Sequence, residues 1–214
     1  MNYIEKTIAF VKKELKNAEA GHDWFHVERV YKNTLLLLQT EKADKPTALL
    51  GALLHDIADS KFHNGDETIG PKKARTFLNS IGIEPKTIDE VVLIIENISF
   101  KGGNFEKKFH SKELEVVQDA DRLDAIGAIG IARTFNYGGF KNNPIYDPDL
   151  SPKVNMTKEE YKMNKGTTIN HFYEKLLLLK DRMNTETGKK LAHQRHKYME
   201  GFLKQFFDEW EGRS

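Results

Sequence analysis

The chain contains no cysteine. That absence excludes a disulfide framework, a Cys-ligated zinc and a thiol nucleophile together. Charge of either sign is not in excess: 33 Lys and Arg face 32 Asp and Glu, a net +1 with neutral histidine. Nucleic-acid binders usually carry a strong basic excess, so the balance argues against that class. It argues equally against an acidic tail or a disordered chain. No apolar run approaches the roughly 18 residues of a membrane span. The opening "MNYIEKTIAFVKKELKNAEAG" lacks the basic, apolar and small-residue order of a signal peptide and reads as an amphipathic helix. These absences lead to the expectation of a soluble, cytoplasmic protein with neither nucleic acid nor membrane as partner.

Strand signals are weak, and there is no internal repeat, heptad array or clear linker. Helical periodicity dominates instead. Ile4, Ile8, Val11 and Leu15 share one face of a first helix, with Gly21 as its stop. Val27, Val30, Thr34, Leu35 and Leu38 mark a second helix. Pro46 opens a buried third, "TALLGALLHDIA". "DETIGPKKARTFLNSIG" is a short helix stopped at Gly82, and "PKTIDEVVLIIENIS" carries Ile88, Val91, Val92 and Ile95 on one face. Ser111 is the N-cap of a helix running through "SKELEVVQDADRLDAIGAIGIARTF". The stretch 136–157 is rich in Gly, Pro, Asn and Asp and reads as a long loop. "YKMNKGTTINHFYEKLLLLKDRM" and "TGKKLAHQRHKYMEGFLKQFFDEW" close the chain as helices. With 39% hydrophobic residues in 214, the expected fold is a single all-α domain with no substantial sheet. Ordinary helix lengths give it about seven to nine helices.

One segment breaks its own pattern. "ALLGALL" (48–54) is wholly apolar, yet His55 and Asp56 follow at once. An unpaired carboxylate is costly to bury, so Asp56 needs a cation or strong hydrogen bonds. Other polar intrusions supply candidate partners: His26 in "GHDWFHVERV", the acids Asp119, Asp121 and Asp124 in "VVQDADRLDAIGAIGIA", and Asp59 one turn beyond His55. Asp121 and Asp124 share a face, while Asp119 lies well round the helix from Asp121. Taken alone, His26 reads as a packed core histidine and His55–Asp56 as a hydrogen-bonded helix end. Two histidines with two carboxylates suit a divalent ion such as Mn²⁺, Fe²⁺, Co²⁺, Ni²⁺ or Zn²⁺. His22 and Asp23 read as the cap of the second helix, and Arg133 as a solvated surface residue.

The order His, His-Asp, Asp resembles the metal-dependent HD-domain phosphohydrolases. "GHDWFHVERV", "LLHDIADSKF", "DADRLDAIGAIGIAR" and "TTINHFYEKLLLL" together are similar to a bacterial subgroup of small, single-domain members, over most of the chain. The resemblance implies one HD domain over 1–214, with a metal core at about 22–135 and helices at about 158–211 completing the pocket. It implies His26, His55, Asp56 and Asp121 as ligands of one divalent ion. Mn²⁺ is favoured and Mg²⁺ belongs with the ions above as an alternative. Asp121 is preferred to Asp119 because a basic residue, Arg122, follows it. Asp59 takes the proton-handling position. Lys61 and Arg122 suit substrate phosphates, and His171 with Lys175, i and i+4, make a basic pair for the same task. Asp124 takes the position that orients a ligand histidine or Arg122. His63 and His110 do not stand in buried-ligand settings, which favours a mononuclear centre.

The expected activity is hydrolysis of small phosphorylated molecules. A nucleoside triphosphate cut between its α and β phosphates leads, with a nucleoside 5′-monophosphate phosphatase as rival. A non-catalytic nucleotide sensor is the alternative of another class. Monomer and homodimer both stay open.

Overall fold

The computed structural model describes residues 2–16, 18, 22–58, 66–98, 109–153, 156, 160 and 166–213. Among them lie nine α-helices and one 3₁₀ helix, with no strand, so the fold is all-α. No helix of the described residues is long and apolar enough to cross a membrane. The chain divides into two compact units, Met1–Asp121 and Arg122–Ser214.

The first unit holds α1 (Tyr3–Glu14), α2 (Trp24–Leu37), α3 (Lys45–Leu54), α4 (Ile69–Ser80) and α5 (Pro85–Asn97), with most of α6 (Lys112–Asp124). Local chemistry sets the starts of these helices. Asn2 and Glu5 form a reciprocal capping box on α1. Asp23 and Asp44 cap α2 and α3 through their carboxylates, and Pro46 occupies the first turn of α3. Ser111 Oγ accepts from Leu114 N at 3.1 Å, the N-cap expected of it.

α3 is buried from Thr47 to Leu54. Leu50, Leu53 and Leu54 pack in one core with Val11, Val27, Ile88, Val91, Val92 and Ile95. Each fully buried Leu or Ile is worth about 1.5–3 kcal/mol, and truncating one such as Leu53 to Ala costs about 2–5 kcal/mol. α4 ends in a Schellman motif. Gly82, at φ +75°, donates to the Asn79 carbonyl and Ile83 N to the Leu78 carbonyl, both at 3.1 Å. α1 ends at Glu14 with Leu15 as its C-cap, earlier than expected, and a tight turn follows (Ala18 N to Leu15 O, 3.0 Å). Gly21 lies outside the described residues.

The second unit holds α7 (Gly127–Phe140), α8 (Asn170–Glu174), a 3₁₀ helix (Leu176–Arg182) and α9 (Glu186–Trp210). The expected continuous helix from 111 to 135 is broken. Ile126 is extended (φ −129°, ψ 166°) and Gly127 sits at φ +76°. Only glycine adopts that conformation cheaply, and a Cβ there would also press on the Arg195 stem at 3.0 Å. The expected loop start at 136 is likewise too early, because α7 runs to Phe140. Its late glycine Gly138 is required: a Cβ would run into Thr168 Oγ1. That close approach lets Thr168 N and Ile169 N donate to the carbonyls of Pro144 and Ile145 at 2.9 and 3.0 Å. The helix expected through "INHFYEKLLLLKDRM" is interrupted at Lys175 (φ −143°, ψ −57°) and continues as the 3₁₀ helix.

Candidate metal centre

Four side chains implied as ligands meet within the first unit. His26 lies in the first turn of α2, where Asp23 Oδ1 accepts its backbone N–H at 2.9 Å. His55 ends α3 and Asp56 follows it, so the apolar run drives α3 into the core and leaves its polar end at the site. Asp121 comes from α6, which is tied to α2 one residue earlier by Asn33 Nδ2 donating to the Ala120 carbonyl at 3.1 Å.

His26 Nε2 and His55 Nε2 face each other at 3.3 Å. Asp121 Oδ1 lies 3.5 Å from the first and 4.0 Å from the second. Asp56 Oδ2 lies 3.9 Å from His26 Nε2. Ligand atoms of His26, His55 and Asp56 all fall within 4.8 Å of one another. His55 Nδ1 lies 2.8 Å from the Ala52 carbonyl, and a carbonyl only accepts, so Nδ1 carries the proton. Held this way, the ring turns Nε2 toward the site, the backbone support usual for a metal-ligating histidine. Two imidazole nitrogens and nearby carboxylate oxygens, nearly buried at the histidines, fit a divalent ion.

The Asp56 carboxyl is held well below the usual carboxylate range. Burial by itself pushes it up; the His22 hydrogen bond and then the charges of His22, His55 and His26 outweigh that effect. His22 Nδ1 stands 2.6 Å from Asp56 Oδ2. Asp23 caps α2 as expected, whereas His22 spends its ring on Asp56. No local pattern announced this contact, because Asp56 lies 34 residues further along the chain.

Of the other expected site residues, Asp59 and Lys61 lie outside the described residues, as does His63, which was not expected to be a ligand. His110 is exposed and faces Glu115 at 2.8 Å. Asp119 is fully buried. In the second unit, Arg122 Nη1 donates to the Arg182 carbonyl at 2.6 Å. Asp124 is buried and receives Arg133 Nη1 at 2.6 Å. Arg133 is therefore half-buried and paired rather than solvated. His171 and Lys175 are neighbours on one helical turn, Lys175 N donating to the His171 carbonyl at 3.0 Å. Burial, and then the Lys175 charge, push the His171 imidazole down to about 4.

The HD domain family matches residues 24–126, a span that contains all four site residues from His26 to Asp121. The chain belongs to the HD-domain family, whose hydrolases share this all-α fold. It is 36% identical to the Bacillus subtilis (strain 168) protein YpgQ over 208 residues, 96% of this chain and 92% of that one. An HD-superfamily hydrolase from Bacillus thuringiensis is 44% identical, with a TM-score of 0.79 over 98% of this chain and 97% of that one. The structure of B. subtilis YpgQ in complex with ADP is 33% identical, with a TM-score of 0.76 over 99% and 100% of the two chains.

Proposed function

We propose that the protein is a metal-dependent phosphohydrolase that cuts nucleoside triphosphates between the α and β phosphates, giving a monophosphate and pyrophosphate. The observation that carries this reading is the facing pair of His26 and His55 nitrogens with the Asp56 and Asp121 carboxylates beside them. The nucleotide half of the reading is supported by the relative YpgQ, which is known in complex with ADP.

His26, His55, Asp56 and Asp121 would hold one divalent ion, Mn²⁺ by preference. Such an ion lowers the pKa of water and polarises a phosphoryl oxygen. Asp59 accepts the proton of the attacking water in this proposal. The water oxygen adds to the α phosphorus, and the bridging oxygen leaves with pyrophosphate. The phosphate-binding roles of Lys61, Arg122, His171 and Lys175, and the orienting role of Asp124, belong to the same proposal and rest on the resemblance to the family. Positive groups fixed at the phosphates stabilise the charge that develops on their oxygens.

The test is a screen of nucleoside triphosphates and monophosphates with Mn²⁺-loaded protein, reading pyrophosphate and inorganic phosphate separately. Pyrophosphate matched by monophosphate, and lost in Asp56→Ala and Asp121→Ala, is the expected result. Inorganic phosphate from monophosphates would make the protein a 5′-phosphatase instead. Nucleotide binding without release of either product would make it a sensor.

A further inference from the structure

Asp56 lies just past the end of α3, on a turn rather than inside a helix. Its carboxylate is mostly buried, at 16% side-chain exposure. A carboxylate there is free to rotate about its own bonds unless another group fixes its plane. His22 provides that group. Its Nδ1 approaches Asp56 Oδ2 to 2.6 Å, the short distance of a charge-assisted hydrogen bond.

The two residues ahead of α2 therefore have separate tasks. Asp23 takes the His26 backbone N–H and fixes where that histidine starts the helix. His22 reaches across to the turn after α3. One short segment thus sets the place of His26 through the backbone and of Asp56 through a side chain. His22 cannot present Nδ1 to an ion while that nitrogen faces Asp56. A carboxylate oxygen has lone pairs to spare, so Asp56 can receive His22 and still face a cation.

We propose that His22 is a positioning residue, which sets the metal affinity of the centre by orienting Asp56 without being a ligand. The inference rests on the metal-centre reading above. Supporting groups of this kind typically contribute 10–100-fold in metal affinity.

The experiment is a Mn²⁺ titration of the full, metal-stripped chain, followed by the electron paramagnetic resonance signal of free Mn²⁺. Wild type is compared with His22→Ala, His22→Asn and His26→Ala, each first shown to be folded by circular dichroism. Asparagine matters because its amide nitrogen falls where Nδ1 of histidine stands and can donate the same hydrogen bond. Weakening of about 10–100-fold in His22→Ala, with most of the affinity regained in His22→Asn, is expected. Unchanged affinity in His22→Ala would overturn the proposal. Equal loss in the Ala and Asn variants, matching His26→Ala, would also overturn it by making His22 a ligand. A wild-type chain that binds no Mn²⁺ would overturn the metal-centre reading itself, a result distinct from either.

Discussion

His55 turns its Nε2 toward His26 Nε2 at 3.3 Å while its Nδ1 donates to the Ala52 carbonyl. Two imidazole nitrogens this close need a proton or a cation between them. A divalent ion held by both rings would meet that need. An ion that binds only the folded chain adds about 2.7 kcal/mol at a hundred times its dissociation constant. Adding Mn²⁺ to stripped protein is expected to raise the melting temperature by several degrees, and chelation to reverse it. His55→Ala and Asp56→Ala should abolish the shift. A melting temperature indifferent to Mn²⁺ in the wild type would refute the site.

Arg133 performs a different task in the second unit. Its Nη1 lies 2.6 Å from Asp124 Oδ2 and 3.2 Å from the Asp124 carbonyl, so one guanidinium holds both side chain and backbone at the end of α6. Arg195 adds a donor to the Leu123 carbonyl. Cations at a helix C-terminus match the exposed carbonyls and the helix dipole. Removing a partner from a buried ion pair typically costs about 3–5 kcal/mol. Arg133→Met is expected to destabilise by that order in urea unfolding. Asp124→Asn in the Arg133→Met background should recover part of the loss, because the buried charge is then gone. Equal stability of Arg133→Met and wild type would refute the pairing.

Much of the first unit was legible from pattern alone. The Ile88, Val91, Val92 and Ile95 stripe of α5, the cap at Ser111 and the stop at Gly82 are local devices, each carried by residues within one or two turns. His26, His55 and Asp56, which the structure brings together, stood out as polar interruptions of apolar helices, whereas the choice of Asp121 among three acids came from the resemblance to the family. What escaped depended on distant partners. The break at Ile126–Gly127 lies in "AIGAIGIA", a run with unbroken helical period, and Arg195 supplies the crowding that makes glycine necessary at 127. Arg133 looked solvated because its counter-charge, Asp124, read as part of the metal cluster. His22 was indistinguishable from a helix cap until α3 placed Asp56 beside it.

The glycines of α7 make opposite predictions. A Cβ at Gly130 would collide with the Ala125 carbonyl, a backbone atom that cannot step aside cheaply. Gly139, on the same helix, has nothing within 4 Å of its Cβ position. Gly130→Ala is expected to destabilise by about 1–3 kcal/mol through overpacking. Gly139→Ala should stabilise by about 0.5–1 kcal/mol, since alanine loses less backbone freedom in a helix. Urea unfolding of the two variants checks the sign difference. The same sign in both would show that backbone crowding does not govern α7.

His171 gives the chain a pH dependence of known direction. Burial, aided by Lys175, lowers its imidazole from an ordinary 6.5 to about 4. The unfolded chain therefore binds a proton between those values that the folded chain refuses. Stability must rise with pH through that window and fall as pH drops from about 6.5 to about 4. Below it both states are protonated and the penalty stays constant. Roughly 3 kcal/mol is the upper bound from the linkage of one pKa unit to 1.36 kcal/mol, reduced because the ring keeps part of its surface in solvent. His171→Asn, which cannot titrate, is expected to flatten the stability profile between pH 4 and 6.5 while leaving its slope elsewhere unchanged. Urea midpoints measured across that range in both proteins provide the check, and parallel profiles would show that His171 is ordinary in its protonation.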